Sequence, residues 1–192
     1  MPRRAVFLDR DGTLNVDKVY LHAASDWQWI PGAVEAIRLL NNVGLLVIVT
    51  TNQSGIARGY YDEAAVHALH TTVDAWLSEQ GAHIDGYYFC PHHPDYSPIA
   101  CNCRKPAPGM LLAAARAFDI DLTHSFVVGD RARDVEAGLT VGAQPILVAT
   151  GKGAQERVKV GVDVPFVADV LAAVHWILEA GGGIASATSV FE

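Results

Sequence analysis

Short, nearly unbroken apolar runs recur along this chain: Ala5-Val6-Phe7-Leu8, Leu45-Leu46-Val47-Ile48-Val49, Tyr87-Tyr88-Phe89, Phe126-Val127-Val128 and Ile146-Leu147-Val148. A strand with one wet face alternates apolar and polar residues. These runs do not, and unbroken apolar strands are the mark of a parallel sheet covered by helices on both faces. The intervening segments carry the helical period, at about 32–43, 62–79, 108–118 and 132–141, with a last one near 169–180. In the second, Val66, Leu69, Val73, Trp76 and Leu77 recur three and four residues apart, and Gly81 supplies a stop. The alternation predicts an α/β fold with a doubly wound parallel sheet of Rossmann-like type. No repeat or linker divides it. One domain is expected over residues 1–180, with a loose tail over 181–192 that opens on Gly181-Gly182-Gly183.

Of the 192 residues, 51% are hydrophobic, enough for a sizeable core. Fourteen Lys and Arg against 21 Asp and Glu leave a formal charge of -7. That balance argues against nonspecific binding to nucleic acid, which needs cations for the phosphates, but leaves room for a small anionic substrate held by a few local cations. No stretch reaches the roughly 18 apolar residues of a membrane span. The apolar run after Arg3-Arg4 is too short for a signal-peptide core, so a cytoplasmic protein is expected. Nothing marks an obligate interface, and a monomer is the default.

Asp9-Arg10-Asp11-Gly12-Thr13 follows the first apolar run directly. In extended backbone alternate residues face one way, so Asp9 and Asp11 are expected on one side, at the carboxyl end of a strand where open α/β sheets bind ligands. Two carboxylates there repel unless something compensates them, and a hard divalent ion such as Mg2+ is the simplest choice. An Asp-x-Asp-Gly by itself is equally a solvated turn. The rest of the chain changes the odds. Thr51-Asn52-Gln53 ends the second run, Arg104-Lys105-Pro106 precedes a helix, and Gly129-Asp130 ends a later run. A parallel sheet would gather all of these on one edge.

Asp9-x-Asp11-Gly12-Thr13, Thr51, Lys105 and Gly129-Asp130-x3-Asp134, in that order, resemble the motifs of the haloacid-dehalogenase-type phosphohydrolases, with the match spanning about residues 5–150. The resemblance implies that Asp9 is a nucleophile accepting a phosphoryl group. Asp11 would be the general acid toward the leaving oxygen and then the base for water. Thr51 and Lys105 would hold phosphate oxygens, and Mg2+ would sit on Asp9, Asp130 and the Asp11 backbone carbonyl. The chemistry is consistent: a carboxylate is anionic at neutral pH and needs no base, whereas attack on an anionic phosphate needs cations nearby. Asp134, a helical turn beyond Asp130, is expected to orient the metal shell or cap the helix.

All three cysteines lie in one Pro-rich segment of about 91 to 107 and its border, as Cys90-Pro91-His92 and Cys101-Asn102-Cys103. Three thiolates and an imidazole suit a closed, structural Zn2+ site. His93 competes with His92 for the fourth place, and His92 is preferred. Three free thiols or a strained Cys101–Cys103 bridge are the alternatives. Zinc would give an irregular loop its order and steady the segment presenting Arg104 and Lys105.

This loop, with Thr51-Asn52-Gln53-Ser54-Gly55-Ile56-Ala57-Arg58-Gly59 and Arg104-Lys105-Pro106, looks like the branch of that family that removes the 7-phosphate of D-glycero-D-manno-heptose 1,7-bisphosphate, on the route to lipopolysaccharide precursors. The histidinol-phosphate phosphatases share the zinc ligands and are the rival. A zinc-stabilised phospholigand-binding module is the non-enzymatic one. By this resemblance Asp17, Lys18, Val19, Tyr20, Asn52, Gln53, Ser54, Arg104, Lys105 and Arg131 contact substrate. One departure stands out: Asp17-Lys18-Val19-Tyr20 replaces the branch's usual Asp-x-Gly-Tyr, and Lys18 is a cation that could reach a distal phosphate. No cap domain is expected. Gly151-Lys152-Gly153 reads as a plain turn, with Lys152 near the mouth of the site, and His67 and His70 as surface or partly buried helix residues.

Overall fold

The computed structural model of the protein describes residues 2–97 and 100–182. Six strands form one parallel sheet: β1 (Ala5–Leu8), β2 (Leu46–Asn52), β3 (Gly86–Cys90), β4 (Phe126–Gly129), β5 (Gln144–Val148) and β6 (Phe166–Val167), in the order β3-β2-β1-β4-β5-β6. The first five match the apolar runs. The helices are α1 (Ala33–Asn42), α2 (Glu63–Glu79), α3 (Gly109–Phe118), α4 (Ala132–Thr140), α5 (Gly153–Glu156) and α6 (Val170–Gly182). Two short elements, β6 and α5, have no counterpart in the sequence reading, because two and four residues are too few to display a period. The last helix runs to Gly182, past the expected boundary at 180. The remainder of the expected tail lies outside the described residues.

Why the strands are apolar throughout is visible in β1. Val6 and Leu8 enter a cluster with Ile37 of α1, Leu69 of α2 and Val174 of α6, while Ala5 and Phe7 enter another with Leu111 of α3 and Ala137 of α4. Alternate side chains thus serve opposite layers, and neither face tolerates a polar residue. In α6, Val170, Ala173, Val174 and Ile177 are buried at the spacing that makes one helix face. Asp62 starts α2 by accepting the Ala65 N–H at 2.8 Å.

The order of strands positions the site. From β1 the chain steps outward to β2 and β3, then returns to the other side of β1 for β4. The β1–β4 boundary is therefore the switch point, where loops diverge and leave a crevice at the strands' carboxyl ends. Leu8 pairs with Val49 of β2 and with Val128 of β4, so residues 9, 50–51 and 129–130 emerge side by side. Between β1 and β2 lie a 3-10 turn (Ala24–Asp26) and α1, and between β2 and β3 only α2, which leaves no room for a cap domain among the described residues. None of those residues forms a helix long and apolar enough to cross a membrane.

Candidate active site

Asp9 leaves β1 with its N–H donating to the Val128 carbonyl of β4 at 2.9 Å, which ties the two strand ends together. The Lys105 ammonium reaches in from the loop before α3. It donates to Asp9 Oδ1 at 2.8 Å and to the Thr50 carbonyl at 2.7 Å, and it pairs with Asp134 Oδ1 at 2.6 Å. Two hydrogen bonds and one further ion pair thus enclose the ammonium. Lys105 is held there by its own backbone. Asn52, at the end of β2, accepts the Lys105 N–H and donates to the Lys105 carbonyl, both at 3.1 Å. Asp134 also accepts the Arg131 N–H at 3.0 Å, capping α4 from its first turn.

Asp9, Asp130 and Asp134 are all buried and bring carboxylate oxygens to within 4.8 Å of one another. Three carboxylates surround one buried ammonium, with the Arg131 guanidinium shared between Asp130 and Asp17, so the group is left acidic and suits a divalent cation. Burial raises the Asp9 carboxyl to about 6 despite the pull of Lys105. Burial, and Asp9 beside it, raise Asp130 to about 7. Asp130 Oδ2 accepts the Lys152 N–H at 2.8 Å, whereas its buried Oδ1 has no partner among the described residues. A hard oxygen-seeking ion such as Mg2+ fits that orphaned oxygen and would return both groups to the ionised form. Both oxygens of Asp134 are already engaged, so Asp9 and Asp130 are the pair with capacity left.

Asp11 sits in a different environment. Arg10, itself fully buried, binds it through Nε at 3.2 Å and Nη2 at 2.9 Å and anchors on the Leu21 carbonyl at 2.8 Å. Asn15 Nδ2 donates to Asp11 Oδ1 and Gln53 Nε2 to Asp11 Oδ2, each at 3.0 Å. Asp9 and Asp11 share a cleft of about 260 Å³ with Asp17, Val19, Tyr20, Thr51, Asn52, Gln53, Ser54, Tyr61, Arg131, Arg133 and Lys152. Among these, Arg133 has its buried Nε unpartnered among the described residues, a cation with a donor to spare. Arg131 spans the mouth, 3.4 Å from Asp17 Oδ2 and 3.5 Å from Asp130 Oδ2.

The loop after β3 brings Cys90, His92, Cys101 and Cys103 into one group. The three thiols are free, with no bridge between them. Cys90 Sγ lies 3.7 Å from Cys101 Sγ and 3.1 Å from Cys103 Sγ, and His92 Nδ1 lies 3.7 and 3.4 Å from Cys90 and Cys103. A tetrahedron with metal–sulfur bonds of about 2.3 Å has edges of about 3.8 Å, so four soft donors are gathered at close to zinc spacing. His93 is turned elsewhere, 3.2 Å from Arg58 through Nε2.

Most of the residues expected to act together do converge. Arg104 does not line the cleft: it donates to the His92 carbonyl at 3.0 Å and lies along the cysteine loop. Lys18 is exposed and also absent from the lining. At the missing glycine, the left-handed backbone falls one residue later, at Tyr20 with φ of 66°, so Val19 is accommodated without strain and stands 75% exposed. Lys152, expected near the mouth, lines it and clamps Asp130 through its backbone. Tyr61 and Arg133 were not anticipated. Arg133's place three residues after Asp130 was the available signal, and nothing local marks Tyr61.

A family model described as HAD-hydrolase-like matches residues 102–174. The chain is 45% identical over 172 residues to the D-glycero-beta-D-manno-heptose-1,7-bisphosphate 7-phosphatase of Pseudomonas putida, covering 89% of this chain and 97% of that one. To the enzyme of the same name from Escherichia coli (strain K12) it is 45% identical over 154 residues, 77% of this chain and 80% of the other. Among solved structures, the D,D-heptose 1,7-bisphosphate phosphatase of B. bronchiseptica, complexed with magnesium and phosphate, superposes with a TM-score of 0.84 at 36% identity over 92% of this chain and 99% of that one. With its parallel sheet, its acidic switch-point cleft and these relatives, the chain belongs to the D-glycero-beta-D-manno-heptose-1,7-bisphosphate 7-phosphatase family of haloacid-dehalogenase-type hydrolases.

Proposed function

We propose that the protein is a Mg2+-dependent phosphoric monoester hydrolase that removes the 7-phosphate of D-glycero-β-D-manno-heptose 1,7-bisphosphate. The observation that carries this reading is the meeting of Asp9 and Asp130 at the switch point of a chain 45% identical to a relative of that name across nearly its whole length. Asp9 is the nucleophile: its oxygen bonds phosphorus as the bond to the sugar oxygen breaks, and Asp11 gives that oxygen a proton. Asp11 then takes a proton from water, which releases phosphate from Asp9. Asp9, Asp130 and the Asp11 backbone hold Mg2+, which supplies charge compensation when bound.

Lys105 lowers the charge on Asp9 and keeps it oriented, and Thr51 and Arg133 meet the phosphate oxygens. Asp17 to Tyr20, Asn52, Gln53, Ser54 and Arg131 form the sugar side of the cleft, with Lys18 and Arg104 at its periphery. Cys90, His92, Cys101 and Cys103 hold a structural Zn2+. The protein works as a cytoplasmic monomer of one domain, in the supply of heptose for lipopolysaccharide precursors.

Phosphate release from both anomers of the heptose bisphosphate, fructose bisphosphate and histidinol phosphate, with and without Mg2+, tests the reading. The expected result is Mg2+-dependent release, fastest from the β-anomer. Preference for histidinol phosphate would overturn the substrate, and absence of release from every ester would overturn the enzyme.

A further inference from the structure

The Gln53 side chain is buried in the cleft wall and is hydrogen-bonded at both ends of its amide. Its Nε2 donates to Asp11 Oδ2 at 3.0 Å and to Thr51 Oγ1 at 2.8 Å. The nitrogen end of the amide therefore faces the Asp11 carboxyl. The opposite end, Oε1, accepts the Tyr61 hydroxyl at 2.7 Å. Tyr61 is itself fixed. Its ring occupies the space that a Cβ at residue 55 would fill, which Gly55 leaves open, and it stacks on His22 with centroids 4.7 Å apart. Burial raises its phenol to about 12, so it remains a donor throughout the working pH range.

We propose that Tyr61 is a positioning residue for phosphoryl transfer, acting through Gln53 to aim Asp11 at the leaving oxygen and the Thr51 hydroxyl at the phosphate. The inference rests on the phosphatase reading above. With one lone pair of Thr51 Oγ1 taken by Gln53, its proton is left for a phosphate oxygen. With Gln53 pinned from behind, the Asp11 carboxyl cannot swing about its Cβ–Cγ bond. Asp11 is already gripped by Arg10 and Asn15 on its other edges, so Tyr61 controls the one remaining direction.

The leaving group supplies the test. As Asp9 bonds phosphorus, a sugar alkoxide needs a proton from Asp11, whereas p-nitrophenolate departs with little help. The ratio kcat/KM includes events only up to that departure, so the later role of Asp11 toward water does not enter. Tyr61→Phe, which keeps the ring and loses the hydroxyl, should lower kcat/KM for the heptose bisphosphate about tenfold more than for p-nitrophenyl phosphate. In a Gln53→Met background the same change should add nothing, because the path it acts through is gone. Gln53→Met, whose lost sugar contact would raise KM, should also lower kcat on the heptose bisphosphate more than on p-nitrophenyl phosphate. That split in kcat carries the test if Tyr61→Phe fails to fold by its melting curve. Equal losses on both esters, or no loss on either, overturn the assignment while leaving the phosphatase reading in place. Wild-type protein inactive on both esters overturns that reading and this one with it.

Discussion

Asp9 and Asp11 are two residues apart and differ in role because of what surrounds each. Asp9 is buried against Asp130 and Asp134 with a single ammonium for compensation, while Asp11 is half-buried in a fan of N–H donors from Arg10, Asn15 and Gln53. Asp9→Asn removes the attacking oxygen and should cut turnover by about 10⁴-fold or more. It also relieves like-charge crowding, so the melting temperature should stay level or rise; a thermal melt beside a phosphate-release assay checks both. His70 belongs to the same scale. The structure buries it, stacked on Tyr87 at 4.1 Å with neither ring nitrogen partnered among the described residues, whereas the sequence reading had it as a surface or partly buried helix residue. Burial, with Arg10 and His67 adding to it, lowers it to about 3. The folded ring is then neutral where an unfolded one, near 6.5, takes a proton. Its contribution to stability is complete above about pH 6.5 and is lost as pH falls toward 3, about 2 kcal/mol of it between pH 7 and 5. Urea midpoints across that range should fall less steeply for His70→Leu than for the natural protein.

At the scale of elements, the five apolar strands were readable as unbroken apolar runs and the five amphipathic helices because each repeats its period. The short α5 and β6 were not, since their identity depends on what lies beside them. The cysteine loop falls between these cases: the types and spacing of its ligands are visible in the chain, but its link to the cleft is not. That link runs through β3, whose Cys90 pairs with Asn52 of β2, and Asn52 in turn clamps the Lys105 backbone. Arg104 closes the same unit by donating to the His92 carbonyl. Loosening the loop should therefore disturb Lys105. Cys101→Ser is expected to lower zinc content, melting temperature and kcat together, since ligand loss and loop unfolding are one event. Elemental analysis finding no zinc in the natural protein would remove the basis for this coupling and leave the acidic cleft unaffected.

Over the whole molecule, the crossing from β3 back to β4 makes the site. It brings Gly12, Asp130 and Gly151, from three separate loops, into contact. Gly12 and Gly151 have φ of 93° and 58°, and a Cβ on either would strike the Asp130 carboxylate. Gly151→Ala combines a left-handed backbone cost of about 1 kcal/mol with displacement of that carboxylate, so Mg2+ affinity and kcat should both fall by more than about tenfold. Titration of Mg2+ against activity measures it, and an unchanged midpoint would show that Asp130 moves freely. Gly151-Lys152-Gly153 looked like a plain turn because only its distant neighbours explain its glycines. The chain by itself determined the strands, the helices, the acidic and thiol-bearing ends of those strands and the family whose motifs they resemble, because periodicity and motif spacing are local properties of sequence. Which carboxylate keeps an unpaired oxygen, which cation is spent on a neighbour, and that a tyrosine stands behind Gln53 were decided by tertiary structure alone, since hydrogen bonds and burial depend on segments that meet only when the sheet closes around its switch point.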